Sequence, residues 1–499
     1  MMKTFGACMD RIAQGAHRAE IAMVILLWLL CILFTPAVIE HPLYAAAFAA
    51  LVLMGWLLLV HPKTALFAAV GGIVLVEEFN LAGTEAFFQS GIGSSVLALR
   101  VFGVNIVDAL TLMFLVPALV RAWTDWYRYG KSPFRPMDAF FLPIVAVYIF
   151  GAVQGLFHAL TPKHYAWEAR EILTILSWYF VASRTLTARR DVVILVAVLL
   201  GVFHLKSLLF AWRVLAGKGL FYGFDFYRPA LGSDVSMTAV PLIAAFAATV
   251  LVRQAPRWFR PLMMCLLAYW SVWLIGSLGR SVYLTTAVAL LILFLAVRKE
   301  ARPKDILQPL AAAAAGAAAF AFLALTEANR ALVSTMLSTA FNWVDAILVY
   351  QDLSMAQRVM EFLNISETLS RAGAWLWGFG WGAPWSEIVV HHPIDVASFE
   401  YMEAVRGVHT SAHIDALYYL LKVGIIGTLV LYAAYARFVV AAVREFRRPA
   451  PPADRVALAA MIGAFVVFLP NFVYFVKLKL ILGILFGCLS CIRAAEART

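Results

Sequence analysis

The stretch HIDALYYLLKVGIIGTLVLYAAYARFVVA, residues 413–441, holds only three charged side chains in 29 positions. A helix needs roughly 20 mostly apolar residues to cross the hydrocarbon core of a bilayer, which is about 30 Å thick. Other apolar runs have comparable lengths, and several are shorter. They lie near residues 20–38, 42–60, 64–78, 104–121, 138–157, 169–184, 190–212, 235–252, 261–277, 281–297, 306–325, 456–472 and 474–492. The pattern predicts an all-α polytopic membrane protein with about 12–14 transmembrane helices.

The composition favours the same class of protein. Hydrophobic residues make up 63% of the 499-residue chain and charged residues 14%, whereas soluble domains carry about 25% charged residues. The net charge of +11 is spread over short loops between the apolar runs. Because no single basic domain exists, we expect contacts with anionic lipid headgroups rather than nucleic acid.

Basic residues also predict the topology. Alternate loops are rich in Lys and Arg, which is typical of the cytoplasmic side of a membrane protein. The loops with this excess contain Arg121, Arg128, Lys131 and Arg135; Arg184, Arg189 and Arg190; Arg253, Arg257 and Arg260; Arg298, Lys299, Arg302 and Lys304; and Arg444, Arg447, Arg448 and Arg455. We expect a bacterial inner-membrane protein with a cytoplasmic N-terminus and an uncleaved first helix.

One long loop divides the chain into three predicted regions. A transmembrane bundle covers residues 1–325, an external, periplasmic loop covers 326–412, and C-terminal transmembrane helices cover 413–499. Long loops in compact proteins are uncommon unless they are functional. This loop contains an amphipathic stretch, residues 355–369, which predicts a short helix lying on the membrane face.

Arginines mark the external ends of several predicted helices. Arg228 precedes one helix, and Arg280 lies in a very short turn between two others. A charge near hydrocarbon costs about 2.5–3.5 kcal/mol even on lenient insertion scales. Anion binding accounts for these positions, and so does snorkelling of the side chain to the headgroups. Arg170 starts another helix, where it either contacts an anion or pairs with the neighbouring acids Glu168 and Glu171.

Two histidines stand at the end of the long loop. His409 and His413 are four residues apart, so a helix that starts early enough would carry both on one face, close to Asp415. Imidazole is the side chain best suited to accept a proton near neutral pH. The structural alternative is a capping or interface role. Further external ligands at metal-binding spacing are not evident, and we predict no metal or other cofactor.

Other polar residues have weaker claims to a function. Lys206 and Lys422 lie within apolar runs, where they are either buried and paired near a lipid carrier or snorkelling. Arg358 and Glu361 lie on the amphipathic stretch, where we expect a solvated face. His391 is expected at the surface.

Several of these features resemble motifs of the O-antigen ligase and O-antigen polymerase superfamily. Gly-Arg280-Ser is similar to the Ser-Arg-Gly turn of that family. The pair Arg358 and Glu361, followed by Trp-Gly-Phe-Gly-Trp-Gly at residues 377–382, is similar to the R-x-x-E and G-x-G stretch of the family's large periplasmic loop. Arg228 resembles the family's arginine before the preceding helix pair.

The histidine motif adds to the resemblance. Residues 413–427 are similar to the family pattern H-N-x-x-L-x-x-L-x-x-x-G-x-x-G, with the histidine, both leucines and both glycines in register. Ile414 stands where the family has Asn, and Lys422 resembles the polymerases more than the ligases. The resemblance covers roughly residues 225–440.

The resemblance implies a function. Members of the family take a glycan from undecaprenyl pyrophosphate at the periplasmic face. Ligases pass it to lipid A-core, and polymerases pass it to a lipid-linked repeat unit. It implies an inverting, metal-independent transfer with catalytic His413, Arg280 and Arg228, and with substrate-binding Arg170, His409, Asp415 and Arg358.

Two other functions remain open from the sequence. A transporter or flippase for a lipid-linked or anionic substrate would place its charges near the midplane on broken helices. His204, Lys206 and Lys422, which lie within apolar runs, favour that alternative. A non-catalytic assembly subunit would leave the external arginines and histidines scattered.

Overall fold

A computed structural model describes residues 42–76, 100–101, 104–130, 132, 134–135, 137–215, 237–276, 280–298, 300–324, 353–391, 408–412, 414–468 and 476–496. These residues form fourteen α-helices. They are α1 Pro42–Val60, α2 Pro62–Val76, α3 Ile106–Tyr129, α4 Leu142–His158, α5 Pro162–Thr185, α6 Arg189–Leu215, α7 Ala239–Leu251, α8 Phe259–Gly276, α9 Arg280–Val297, α10 Pro303–Ala324, α11 Leu353–Ala372, α12 Asp415–Phe446, α13 Pro452–Phe468 and α14 Val476–Glu496.

The helices coincide with the predicted apolar runs. Every run except 20–38, which lies outside the described residues, is occupied by one helix. Within the described residues, four helices are long and apolar enough to cross a membrane: Val107–Tyr129, Arg189–Leu208, Asp415–Phe446 and Leu478–Ala495. The chain is therefore a helical membrane protein, and the number of 12–14 spans stays a prediction. The predicted amphipathic stretch is also helical, because α11 covers it.

Strands are short in the described part of the chain. β1 (Arg100–Val101) pairs with β2 (Val104–Asn105), and β3 (Trp385–Ser386) pairs with β4 (Val408–His409), both antiparallel. β3 and β4 join two parts of the predicted external loop. Residues 325–352 and 392–407 of that loop lie outside the described residues.

The chain packs as two compact units. Unit 1 comprises residues 1–139, 174–202 and 480–499, and unit 2 comprises residues 140–173 and 203–479. In unit 1, α1 packs against α2 and α3. Gly483 and Gly487 on α14 approach the backbone of α5 at Ile175 and Ser183, where a Cβ atom would crowd the neighbouring chain. Small residues thus permit close helix contact without polar interactions.

Unit 2 is organised around α7. Residues 239–250 of this helix are all buried, as expected for a helix that is apolar on every side. It packs against α8 and α13, and Gly463 of α13 accommodates the side chain of Ile243. The Ala-rich α10 packs on α8 with Gly316 against the backbone of Ala268, so a small residue again permits close helix contact.

Ion pairs gather three basic loops at one end of unit 2. Arg455 pairs with Glu300 at 2.7 Å, and the carbonyl of Glu300 accepts a hydrogen bond from Arg253. Arg260 pairs with Asp305 at 2.9 Å. The alternation of basic loops requires these connections to lie on the same side. Which side of the membrane they face stays a prediction.

Helix α12 is broken at Gly424, whose φ of 66° and ψ of −173° interrupt the helical path. A positive φ is readily adopted by glycine, which has no Cβ atom. From Gly424 to Phe446 the helix rises about 33 Å at about 1.5 Å per residue, enough to cross the hydrocarbon core. The first part of α12, beginning at Asp415, is therefore a separate short helix.

The break in α12 is filled by residues 375–382, hereafter the glycine segment. In an unbroken helix, the carbonyls of Leu421 and Lys422 would accept hydrogen bonds from the amides of residues 425 and 426. Instead they accept them from the amides of Phe379 (2.9 Å) and Gly380 (2.7 Å). The amide of Ile425 donates to the carbonyl of Trp375 at 2.8 Å. The glycine segment thus replaces the missing helical partners.

We predict that Gly380→Ala strongly destabilises unit 2. Gly380 has a φ of 88°, and an added Cβ atom would overlap the backbone of Gly155. Strain of a positive φ and overpacking together should lower the free energy of unfolding by roughly 2–5 kcal/mol. Thermal unfolding in detergent measures this. Gly201→Ala is the control, because nothing lies within 4 Å of its Cβ position, and it should leave stability unchanged or slightly higher. Equal stability of both variants would contradict the prediction.

Candidate functional site

An imidazole–carboxylate pair lies between β3 and β4, close in sequence to the glycine segment. The β3–β4 register places His409 opposite Trp385, and the two rings stack with centroids 4.5 Å apart. His409 Nε2 lies 2.8 Å from an Oε atom of Glu387. Their side chains are 9% and 11% exposed. Glu387 therefore fixes the orientation of a largely buried imidazole.

Neighbouring groups hold this pair in place. The indole of Trp385 donates to the carbonyl of Ser411 at 2.9 Å, which ties β3 to the start of α12. Asn364 of α11 accepts a hydrogen bond from the amide of Val389 and donates to the carbonyl of Val390, both at 2.7 Å. α11 also packs against β3 and α12. The pair thus rests on two helices rather than on a free loop.

A buried ion pair lies beneath the glycine segment. The Lys422 ammonium is 2.9 Å from the carboxylate of Glu168 on α5, and the lysine side chain has no exposed surface. Lys422 also donates to the carbonyl of Ala383 at 2.7 Å. Glu168 accepts from the amide of Gly382 at 2.5 Å. Both charges are therefore hydrogen-bonded to the loop backbone as well as to each other, which a buried pair requires.

Trp381 anchors the glycine segment to α4. Its amide donates to the carbonyl of Gly151 at 3.0 Å, and its indole donates to the carbonyl of Tyr148 at 2.9 Å. The indole and the Tyr148 ring stack with centroids 4.6 Å apart. Gly155, one turn further along, approaches the Trp381 backbone so closely that a Cβ atom would overlap it. Small residues on α4 admit the loop into the helical bundle.

The structure brings several sequence-predicted regions together. The 377–382 stretch and the 413–427 stretch are hydrogen-bonded to each other, and α11, which carries Arg358, packs beside them. His409 belongs to the pair with Glu387. Asp415 lies in the first turn of α12 and is buried. Their roles in substrate binding stay predictions.

Other predicted residues have less structural description. Arg170 lies on α5, two residues after Glu168, and is half-buried. Arg280 is the first residue of α9, and its side chain lies outside the described part. Arg228 and His413 also lie outside the described residues. Their predicted catalytic roles are untested.

Two surface assignments have different outcomes. Glu361 is 2% exposed, so its predicted solvated position is wrong: packing of α11 against β3 and α12 turns this side chain inward. Arg358 is half-buried. The side chain of His391 is 92% exposed, which confirms its predicted surface position. Lys422 is buried and paired rather than snorkelling.

Sequence reasoning missed the importance of Glu168 and Glu387. The sequence could have indicated Glu168, because a lysine and a glutamate in two different apolar helices are expected to form an ion pair. Their separation of 254 positions hid the pairing. Glu387 lies in a loop with several other polar residues, so only the β3–β4 register singles it out.

No protein-family model matches the chain, and no curated protein matches it. Among the described residues, no group of three or more His, Cys, Asp and Glu side chains is arranged to hold a metal ion.

We predict that Lys422→Met lowers the free energy of unfolding by about 3–5 kcal/mol, because it leaves the Glu168 carboxylate buried without its cation. Adding Glu168→Gln should recover more than half of the loss, since the amide oxygen still accepts the Gly382 N–H. Thermal unfolding of the single and double variants measures the coupling.

The matched control is Lys63→Met. Lys63 pairs with Asp191 at 2.8 Å, but its side chain is 39% exposed, so the loss should stay below about 1 kcal/mol. Additive losses in the Lys422 and Glu168 double variant would show that the two side chains are not coupled.

Proposed function

We propose that the chain is a bacterial inner-membrane glycosyltransferase that moves a glycan from undecaprenyl pyrophosphate to a sugar acceptor at the periplasmic face. The acceptor is lipid A-core in a ligase or a lipid-linked repeat unit in a polymerase. The observation that carries the proposal is the His409–Glu387 pair, held at 2.8 Å beside the glycine segment and the start of α12. Support also comes from the contacts of residues 377–382 with α12 and from the packing of α11, which carries Arg358, beside them.

The position of this pair supports a reaction at a membrane boundary. His409 lies on the side of the α12 break that is opposite to the roughly 33 Å helix ending at Phe446. A lipid-linked donor presents its diphosphate at the headgroup level, while its polyprenyl chain stays in hydrocarbon. A sugar acceptor approaches from water. A site built from a loop docked on the end of a helix bundle suits both substrates.

In the proposed reaction, an acceptor hydroxyl oxygen attacks the anomeric carbon of the donor glycan. The bond from that carbon to the pyrophosphate oxygen breaks, and the carrier diphosphate leaves with the electron pair. His413 takes the hydroxyl proton, and the anomeric configuration inverts. Arg228, Arg280 and Arg170 bind the diphosphate oxygens, because guanidinium groups match phosphate geometry and stay charged.

Exclusion of water is the proposed role of the glycine segment. Water competes with the sugar acceptor as a nucleophile, so the site benefits from a dry wall. Trp381 and Trp385 are buried, and their indoles are hydrogen-bonded to backbone carbonyls. We propose that these fixed aromatic side chains and the adjacent backbone form that wall. Asp415, His409 and Arg358 are proposed to bind that sugar.

Transport of a lipid-linked or anionic substrate is the second candidate. The broken α12 and the buried Lys422–Glu168 pair favour it, because transporters use broken helices and intramembrane charges. In this chain, however, the backbone groups freed by the break are bonded to the glycine segment. The charges are likewise bonded to the loop at Gly382 and Ala383. We therefore favour glycan transfer.

We predict that His409→Ala and Glu387→Gln each lower glycan transfer by up to about 100-fold, the loss typical of a misplaced reacting group. The measurement is transfer from the lipid-linked donor in membranes, at matched protein levels. His391→Ala is the control: this histidine also approaches Glu387, with Nδ1 3.4 Å from a carboxylate oxygen, but its side chain is 92% exposed, so the variant should keep normal transfer. Equal activity of all three variants would show that the His409–Glu387 pair takes no part in glycan transfer.

We also predict large losses for the groups proposed to contact the reacting atoms. Removing a general base costs about 10²–10⁴-fold, so His413→Ala should fall in that range. Arg280→Ala and Arg228→Ala each remove a charge from the leaving diphosphate, which is worth about 2.7–4 kcal/mol. If Arg280→Ala and His413→Ala both keep full transfer in cells at normal protein levels, this assignment of the site is wrong.

Deletion of the gene with gel analysis of surface glycans separates the candidates. Loss of all lipid-A-attached polymer with intact carrier-linked chains indicates a ligase. Single repeat units in place of chains indicate a polymerase. A carrier-linked substrate that stays on the cytoplasmic side indicates transport and contradicts the proposal.

A further inference from the structure

A pocket of about 470 Å³ opens in unit 1, and none of its lining residues belongs to the proposed transfer site. It lies at the ends of several helices. Its polar wall contains three arginines, from α3 (Arg121), from the following loop (Arg135) and from the end of α5 (Arg184). These three arginines and the pocket between them are called the basic pocket.

Asp138 positions two of the three arginines. Its carboxylate accepts a hydrogen bond from the amide of Arg135 at 2.7 Å and one from the Arg184 guanidinium at 3.1 Å. The Tyr179 hydroxyl donates to the same carboxylate. Arg184 also lies over the Phe180 ring, 4.9 Å from its centroid. The pocket is therefore fixed by buried contacts, although Arg121 itself is exposed.

The charge of the basic pocket suits a singly charged anion. Three arginines and Asp125 line the pocket, and Asp138 accepts hydrogen bonds from the Arg135 amide and the Arg184 guanidinium. Three positive charges less two negative charges leave one positive charge. A phosphodiester carries one negative charge, and guanidinium groups bind its oxygens through paired hydrogen bonds.

Another part of the pocket lining is apolar. Leu58, Phe114, Pro117 and Ala118 form it. Nearby on α3, Trp123, Trp126 and Tyr127 are 64%, 48% and 77% exposed, as is typical of aromatic residues at a membrane–water interface. α3 is also one of the helices long and apolar enough to cross a membrane. A ligand that satisfies both walls is amphipathic.

We infer that the basic pocket binds the phosphodiester headgroup of an anionic phospholipid, with the acyl chains against the Leu58 and Phe114 wall. Basic pockets between helices at a membrane surface are suited to such headgroups. The apolar wall and the interfacial aromatic residues favour a lipid over a free phosphate. This binding is independent of glycan transfer, since no residue of the transfer site contributes to it.

The test is native mass spectrometry of the full chain in detergent, titrated with phosphatidylglycerol, with phosphatidylcholine and with inorganic phosphate. The wild-type protein should retain one phosphatidylglycerol in preference to phosphatidylcholine, and phosphate at equal concentration should not displace it. Equal retention of both lipids would overturn the inference. Displacement by phosphate alone would identify a free-anion site and would also overturn it.

A double variant, Arg121→Gln with Arg135→Gln, locates the lipid. Each arginine near an anionic surface contributes roughly fivefold, so affinity for phosphatidylglycerol should fall by about 30-fold. The control is Arg190→Gln with Arg257→Gln, which removes the same charge from two exposed arginines outside the pocket and should change affinity less than about twofold. Equal losses in the two double variants would show that only net charge matters.

If the glutamine variant does not fold, Arg121→Lys with Arg135→Lys replaces it. Lysine keeps the charge but lacks the planar fork, so a several-fold loss of affinity is expected. Unchanged affinity in that variant would contradict phosphodiester recognition by guanidinium groups.

Discussion

The hydrogen bonds between the glycine segment and the break in α12 are the constraint on which unit 2 depends. A helix inside a membrane has no water to satisfy backbone groups that a break sets free, and each unsatisfied group costs several kcal/mol. Here the Phe379 and Gly380 amides bond to the Leu421 and Lys422 carbonyls. Gly378, Gly380, Gly382 and Gly424 all have positive φ angles, because only glycine lets two backbones approach so closely in these conformations.

This backbone exchange also explains the buried charges. The carbonyl of Lys422 accepts a hydrogen bond from the glycine segment. Its ammonium group donates to Glu168 and to the carbonyl of Ala383. Glu168 in turn holds the amide of Gly382. The loop, α5 and α12 are therefore joined by one network of hydrogen bonds. Glu387, five residues after Gly382 and directly after β3, contacts His409, so this network lies next in sequence to the proposed transfer site.

Arginine has several roles in this chain, and its surroundings distinguish them. Arg455 and Arg260 pair with acids at the basic end of unit 2, where they close loops between helices. In unit 1, Arg184 also pairs with an acid, Asp138, but this pair and Arg135 lie at a pocket that is partly lined by apolar residues, where we infer that an anionic headgroup binds. The net charge of a loop does not distinguish arginines that pair with acids from arginines that line a pocket, because both kinds lie in basic loops.

The sequence alone determined that this is a helical membrane protein and where its helices lie, because apolar runs of sufficient length have few other stable states in water or lipid. It also located α11 through its amphipathic pattern. The pairing of Lys422 with Glu168, the burial of Glu361 and the contact of Glu387 with His409 came only from the tertiary structure. Each of these three features depends on contacts between segments that are far apart in the sequence. Hydrophobic periodicity carries no information about such contacts.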